Sequence, residues 1–380
     1  MLVNIQFLRF IAAVLVVILH ASAHYDAAGS DTWENPFTYI RQVGYAGVDI
    51  FFVISGLIIW KSTEHSTGVK GVLDFAYRRA TRIYLGYWPY FLMVLTFLYF
   101  AAPQRLMKLD VPGSFLLTQP SIDKMLLAVS WTLRFELYFY ICFGVLILLL
   151  PRKAIIYTLA SVAMVIVGAQ LWAVFVEHAY DKKKYLSSSI AYQFYLSPFC
   201  LEFISGCFAG FYLDKNRVNN LVAVFVPAFL FFILAIWYQR QYIDGLLAEG
   251  YYAPQRVLFF GVVSLFTVIG LVEMEKRGII LCRRYSLLLG GASYSIYLSH
   301  PIILIFLMQE RLGVKAALLK HGEWQAVWMA SIIMLVILYS VWHYRAIEQP
   351  IMSAARNFNR RLLDRYERSK RRPGYSQSIH

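Results

Sequence analysis

The chain has 380 residues, of which 59% are hydrophobic and 15% are charged, and its formal net charge is +14. A soluble domain is about half apolar and about a quarter charged, whereas repeated apolar runs of about 20 residues are typical of membrane-spanning helices. The composition therefore excludes an ordinary soluble enzyme. Because basic residues collect in the cytoplasmic loops and tails of membrane proteins, and the sequence has no nucleic-acid-binding module, we expect contacts with membrane lipids and no nucleic-acid partner.

The sequence predicts an all-α polytopic membrane protein in which about ten transmembrane helices enclose a polar channel. Residues 1–350 form the predicted membrane domain, and residues 351–380 form a basic tail expected in solvent or at the lipid headgroups. Lys and Arg are enriched on the side that carries both termini, which predicts cytoplasmic termini. The predicted spans are residues 5–23, 43–60, 83–101, 125–150, 154–176, 190–212, 219–238, 254–273, 286–308 and 324–347.

The first span carries two ionisable side chains, Arg9 and His20, in an otherwise apolar run. An ionisable residue inside a span is costly to bury and is by default a candidate for function. The two residues are eleven positions apart, or roughly 16 Å along a helix, so they lie at different depths. A neutral imidazole is a suitable general base near neutral pH; a histidine that is only an interfacial or pore-facing polar residue is the alternative.

Two carboxylates also fall in apolar segments, Asp49 in the second span and Glu136 in the fourth. A buried carboxylate requires a partner, and an imidazole is a suitable one because the pair fixes the histidine tautomer. Asp49 could instead stabilise a helix end, and Glu136 could form a structural ion pair. Arg134 is a poor partner for Glu136, because residues two apart on a helix point in different directions.

A group of arginines, Arg78, Arg79 and Arg82, precedes the third span. On a helix Arg79 and Arg82 share one face, and guanidinium groups bind phosphate through planar paired donors. The alternative is an ordinary cluster of basic residues at the cytoplasmic surface. Because the chain has no glycine-rich phosphate loop, we do not expect an ATP-driven enzyme.

The ninth span contains Ser299 and His300 immediately before Pro301. A proline inside a span is tolerated beside a cavity, so Ser299 and His300, with Tyr140 of the fourth span, are candidates to line the channel; a structural hydrogen bond is the alternative for His300. The histidines show no metal-binding spacing, and we predict no metal. The four cysteines have no paired spacing and are expected to be ordinary apolar side chains.

These segments together resemble the membrane-bound acyltransferase 3 family, and most closely its exopolysaccharide O-acetyltransferase branch. The opening differs from the usual family pattern, because Asn4-Ile5-Gln6-Phe7 stands where the family has a basic residue or aspartate followed by glycine. The matching segments are the Arg9–His20 spacing, GVDIFFVISG at 47–56, the Arg79–Arg82 pair, WTLRFELYFY at 131–140, SYSIYLSHP at 293–301 and EQP at 348–350.

The resemblance implies a bacterial cell-membrane enzyme that moves an acetyl or other acyl group from a coenzyme A thioester to a hydroxyl of a cell-surface or lipid-linked saccharide. It makes His20 the essential histidine and Arg9 its motif partner, and it links Arg79 and Arg82 to acyl-CoA. Glu136 matches an acidic family position. Transfer could be direct or could pass through an acetyl-imidazole, and a transporter or flippase for a lipid-linked sugar is the alternative function.

Overall fold

The computed structural model describes residues 2–26, 40, 42–64, 66, 68–176, 194–242, 254–307 and 322–370, and within these ranges the chain is helical and contains no strand. Most residues of the long helices are apolar, and each helix satisfies its backbone hydrogen bonds internally, as a lipid environment requires. The helices, in chain order, are α1 Val3–Asp26, α2 Ala46–Ser62, α3 Gly68–Ala101, α4 Trp131–Leu149, α5 Arg152–Phe175, α6 Phe199–Lys215, α7 Val222–Tyr242, α8 Val262–Lys276, α9 Arg283–Leu307, α10 Gly322–His343 and α11 Gln349–Lys370.

Helices α1 to α10 correspond in order to the ten predicted spans, which confirms the all-α polytopic fold. Nine helical segments in the described part of the chain are long and apolar enough to cross a membrane. The sixth predicted span corresponds to the shorter α6, and the first residues predicted for that span, 190–193, lie outside the described residues. Short helical turns precede α4, and a π-helical turn at Val257–Gly261 leads into α8.

Helix α3 is longer than its predicted span, because it begins at Gly68 rather than near residue 83. The charged residues before the span are therefore helical, and this extension adds roughly 22 Å to the helix. Phe75 of the extension is buried whereas Arg78 on the same turn is half exposed. The sequence prediction began the third span only after these charged residues. In the structure an amphipathic helix runs through them, with its apolar side against the rest of the protein.

Two pairs of helices approach each other closely and fix the centre of the bundle. A Cβ atom on Gly56 of α2 would lie 2.0 Å from the carbonyl oxygen of Phe203, and one on Gly206 of α6 would lie 2.0 Å from that of Val53. Only glycine allows this reciprocal contact. Helix α1 runs alongside α9 in the same direction, since Gln6 lies against Gly290 at one end and His20 lies beside His300 further along both helices.

The tenth predicted span continues past its predicted end without a break in the helix. Helix α10 passes through a π-helical turn at Tyr344–Glu348 directly into α11, whose residues reach Lys370. Residues 371–380 of the predicted tail lie outside the described residues. The first two thirds of the predicted tail therefore form an amphipathic helix, and its side chains are described up to residue 362.

Candidate active site

A cavity of about 520 Å³ lies between α1, α2, α3, α4 and α9. Helix α2 forms one wall with Val48, Phe51, Phe52, Ser55 and Ile58. Because these positions recur every three or four residues, they lie on one face of the helix and extend the cavity over roughly 15 Å of its length. That distance is about half the thickness of the hydrocarbon core, so the cavity extends well into the membrane domain.

Three of the arginines predicted from the sequence lie on this cavity, Arg9 from α1 and Arg79 and Arg82 from α3. Nη2 of Arg79 donates to Oγ of Ser62, at the last turn of α2, over 2.5 Å. Arg9 lies three residues after Gln6 on the same face of α1, and Gln6 also lines the cavity. Arg79 and Arg82 both reach the cavity because they are three residues apart on one face of a continuous helix.

Arg82 is bound by a carboxylate from the far end of the chain. Its Nη1 lies 2.6 Å from Oε1 of Glu348, and the Glu348 side chain is almost fully buried. The other Glu348 oxygen accepts a hydrogen bond of 2.7 Å from Ser295, and the Arg82 guanidinium lies 4.6 Å from the centre of the Tyr294 ring. Two neighbouring residues of α9 thus complete the surroundings of this ion pair, and the pair fixes Arg82 against the cavity wall.

Glu136 of α4 lies on the cavity as well. Its Oε1 accepts hydrogen bonds from Tyr140, one turn later on the same helix, and from Oγ of Ser55 at 3.2 Å. The Arg79 guanidinium lies 5.2 Å from the centre of the Tyr140 ring. The carboxylate therefore lies on the same cavity as the arginines, while Arg134 points elsewhere and donates to the carbonyl of Gln119.

Tyr297 lies beside Thr132, at one end of the cavity. Tyr140, two turns further along α4, lies towards the other end. The Tyr297 hydroxyl donates to the carbonyl oxygen of Val129 and accepts a hydrogen bond from Thr132, each over 3.0 Å. The ring centre of Tyr297 is also 5.9 Å from that of His300. Tyr297 therefore contacts the cavity on one side and the histidine on the other.

His300 and His20 form a direct pair, with Nε2 of His300 3.3 Å from Nδ1 of His20. The rings are 5.0 Å apart at an angle of 41°. Helix α1 contributes one imidazole and helix α9 the other. Because these helices run in the same direction and pack along their length, two histidines near their corresponding ends meet, and His300 is fully buried.

Two backbone carbonyls determine the tautomers of this pair. Nδ1 of His20 lies 3.0 Å from the carbonyl oxygen of Val16, and Nδ1 of His300 lies 3.3 Å from that of Ile296. A carbonyl oxygen only accepts hydrogen bonds, so each neutral imidazole carries its proton on Nδ1. Nε2 of His300 then shares the Nδ1 proton of His20 with the Val16 carbonyl, and the lone pair of the neutral His20 ring is on Nε2.

Asp49 lies in a different part of the molecule's polar interior. Its carboxylate is fully buried and binds Arg256, with Oδ2 2.7 Å from Nη2 and both oxygens 3.1 Å from Nε. The same guanidinium donates to the carbonyl of Tyr45 over 3.0 Å. Neither Asp49 nor Glu136 is among the hydrogen-bond partners described for His20. The described partners of its ring are the carbonyl of Val16 and the ring of His300.

Two other predicted site residues do not lie on the described lining of this cavity. Arg78 binds Asp74 one turn earlier, 2.7 Å away, on another face of α3. Ser299 shares a hydrogen bond of 2.9 Å with Ser340 and lines a second, mainly apolar cavity. The cavity thus brings together Arg9, Arg79, Arg82, Glu136 and Tyr140, with the two histidines adjoining it through Tyr297.

Several residues of this region were not assigned a role from the sequence. Glu348 was recognised only as part of the final EQP segment, and Arg256 was not singled out within the predicted span 254–273. A charged residue at the edge of a span is the signal that could have marked both. Tyr294 and Tyr297, four and seven residues after Gly290, recur on one face of α9 and could have been noted with His300. In the described part of the chain, no group of three or more His, Cys, Asp or Glu side chains could hold a metal ion.

The fold and the site define a multi-pass membrane protein with an arginine-rich cavity beside a pair of histidines. The chain belongs to the acyltransferase 3 family, since the family model described as an acyltransferase domain matches residues 2–349. It is 28% identical over 323 residues to the exopolysaccharide production protein ExoZ of Rhizobium meliloti strain 1021, and the match covers 83% of this chain and 91% of the relative. No solved structure matches the chain. The protein is therefore a membrane-embedded acyltransferase.

Proposed function

We propose that this protein transfers an acetyl or other acyl group from acyl-CoA to a hydroxyl of a cell-surface or lipid-linked saccharide. The single observation that carries the proposal is the cavity that brings together Arg9, Arg79 and Arg82. This cavity adjoins His20 through Tyr297 and His300. Guanidinium groups suit the phosphates of coenzyme A, and the imidazole suits the activation of a hydroxyl. The relative named for exopolysaccharide production supports a saccharide as acceptor.

The protein is proposed to lie in the bacterial inner membrane with both termini in the cytoplasm. The distribution of Lys and Arg along the chain supports this orientation. It places the Arg79 end of the cavity towards the cytoplasm, where acyl-CoA is present, and His20 towards the outer side, where a saccharide would arrive. The arginines then hold the nucleotide end of the donor while its thin pantetheine arm extends along the cavity.

In the proposed reaction, Nε2 of His20 removes the proton from a saccharide hydroxyl as the oxygen attacks the thioester carbonyl. The new carbon–oxygen bond forms, the carbon–sulfur bond breaks, and His20 returns the proton to the departing sulfur of coenzyme A. His300 orients the His20 ring through Nδ1, in place of the carboxylate found in many catalytic triads. Tyr297 stands between the cavity and the histidines, so its ring moves aside to admit the thioester. Arg78, Asp49 and Ser299 have no direct part in this scheme.

The experiment is a transfer assay with membranes that contain the protein, radiolabelled acetyl-CoA and polysaccharide. We expect release of free coenzyme A and label in the glycan, and loss of both in His20→Asn. Asparagine keeps a donor near the Val16 carbonyl but has no basic nitrogen, so this variant tests chemistry with little change in packing. Near-normal transfer by His20→Asn, at equal abundance in the membrane, would refute the role of His20. Movement of a lipid-linked sugar without consumption of the thioester would favour the flippase.

A further inference from the structure

Helix α11 begins at Gln349, the last residue matched by the family model, and packs against the amino-terminal extension of α3. Nδ2 of Asn359 donates to Asp74 over 2.7 Å, and the hydroxyl of Tyr77 donates to the carbonyl of Ala355 over 3.2 Å. Asn359 is buried in this contact. Because Asp74 also binds Arg78, the extension of α3 and the tail helix are joined by a shared carboxylate. The position of α11 is thus set by specific polar contacts.

This docking brings Arg356 of α11 to the lining of the cavity described above. Arg356 is exposed and lies three residues after Ser353, whose Oγ accepts a hydrogen bond of 2.8 Å from its Nη2. It joins Arg9, Arg79 and Arg82, so the described lining has four guanidinium groups and one carboxylate, Glu136. An excess of positive charge around a concave mouth attracts anions and raises their local concentration.

The four arginines differ in their exposure to solvent, which indicates which of them lie deeper in the cavity and which lie at its mouth. Arg82 is held by the buried Glu348, and Arg9 lies on the transmembrane helix α1. Arg356 comes from outside the bundle and is exposed to solvent. A donor that enters with its thioester first leaves its nucleotide end at the mouth, next to the outermost cation. The phosphates of that end are the anionic groups available there.

We propose that Arg356, presented by α11, binds a phosphate at the nucleotide end of the acyl-CoA donor and completes the mouth of its site. The proposal rests on the proposed function, since it assigns a further binding residue to the same donor. It gives the docked tail helix a role in substrate binding. Arg360, on the next turn of α11 and also exposed, is outside the described lining of the cavity and provides a matched control.

The test compares two donors, acetyl-CoA and acetyl-pantetheine, in the purified full-length protein. Acetyl-pantetheine has the thioester and the arm but no phosphate. We expect Arg356→Ala to raise KM for acetyl-CoA by about 5–10-fold, as for loss of one exposed charged hydrogen bond, and to leave KM for acetyl-pantetheine unchanged. Arg360→Ala should leave both values unchanged, and Asn359→Ala, which loosens the docking, should follow Arg356→Ala in direction.

The outcomes separate this inference from the proposed function. If the unmodified protein uses acetyl-CoA and Arg356→Ala has the same KM as Arg360→Ala, the role of Arg356 is refuted and the acyltransferase function stands. An equal rise in KM for both donors would also refute it, because the effect would not depend on phosphate. If the unmodified protein transfers from neither donor, the proposed function itself fails. Membrane abundance and elution in detergent identify any variant that does not fold.

Discussion

Nε2 of His300 lies 3.3 Å from Nδ1 of His20, and the two imidazoles reach each other from parallel helices 280 residues apart in sequence. Backbone carbonyls of Val16 and Ile296 fix both Nδ1 atoms as donors, so His20 presents a basic Nε2. We expect ¹⁵N NMR of histidine-labelled protein to show protonated Nδ1 and unprotonated Nε2 for both residues near neutral pH. A protonated Nε2 on neutral His20 would contradict this assignment.

The His300 side chain should affect the rate of transfer more than the binding of the donor. His300→Phe keeps an aromatic ring but removes the nitrogen that accepts from His20, so the His20 ring loses its orientation. We expect kcat to fall about 10–100-fold, which is less than the roughly 100–10,000-fold that a general base contributes because His20 itself remains, with KM for acetyl-CoA little changed. Steady-state kinetics in detergent measure both. His300→Gln, which retains an acceptor, should recover part of the rate; equal loss in the two variants would contradict a positioning role.

The ion pair between Arg82 and Glu348 should govern donor binding. Arg82→Ala removes a cation from the cavity wall, and Glu348→Ala leaves Arg82 without the carboxylate that holds it. Hydrogen bonds to charged groups contribute about 1.5–3 kcal/mol, so we expect each variant to raise KM for acetyl-CoA roughly 10–100-fold. Arg78→Ala serves for comparison because Arg78 binds Asp74 on another face of α3. If Arg78→Ala raised KM as much as Arg82→Ala, the geometric distinction between these arginines would be wrong.

Glu136 should weaken the binding of the anionic donor, while its hydrogen bonds hold Tyr140 and Ser55 in place on the cavity wall. Glu136→Gln removes one negative charge from a cavity that contains several arginines, and it weakens the contact with Tyr140. We expect kcat to fall about 10-fold, as for loss of one charged hydrogen bond, while KM for acetyl-CoA stays the same or decreases. Ser55→Ala removes a partner of the same carboxylate without a change of charge and should have the smaller effect. A raised KM with unchanged kcat in Glu136→Gln would contradict this interpretation.

The buried pair of Asp49 and Arg256 should matter for stability. Arg256→Met leaves a carboxylate with no exposed surface and without its bidentate partner, and breaking a buried pair in this way costs about 3–5 kcal/mol. We expect a clear decrease in the unfolding temperature in detergent. The double variant Asp49→Asn, Arg256→Met removes both charges and should unfold at a higher temperature than Arg256→Met alone. If it did not, the pair would not be the source of the stability.

Many features of this protein follow from short stretches of sequence. The apolar runs predicted the order of the helices, because membrane-spanning helices require about 20 apolar residues each. Ionisable residues inside those runs marked His20, Arg9 and Glu136 as candidates, because charge is rare in a span. The spacing of Arg79 and Arg82 predicted their common face, and the structure places both on the cavity. The ends of helices were predicted less well, since α3 begins before its predicted span and α10 continues without a break into α11. Charged residues on one face of an amphipathic helix hide its continuation.

The sequence by itself determined the membrane class, the helices and the residues that carry charge into the bundle, since these are properties of local composition and periodicity. The tertiary structure alone decided the partners, which are His300 for His20, Glu348 for Arg82 and Arg256 for Asp49. Each pair joins residues more than 200 positions apart. Their meeting depends on which helices pack together and at what depth, and close contacts such as Gly56 with Phe203 and Gly290 with Gln6 set that depth.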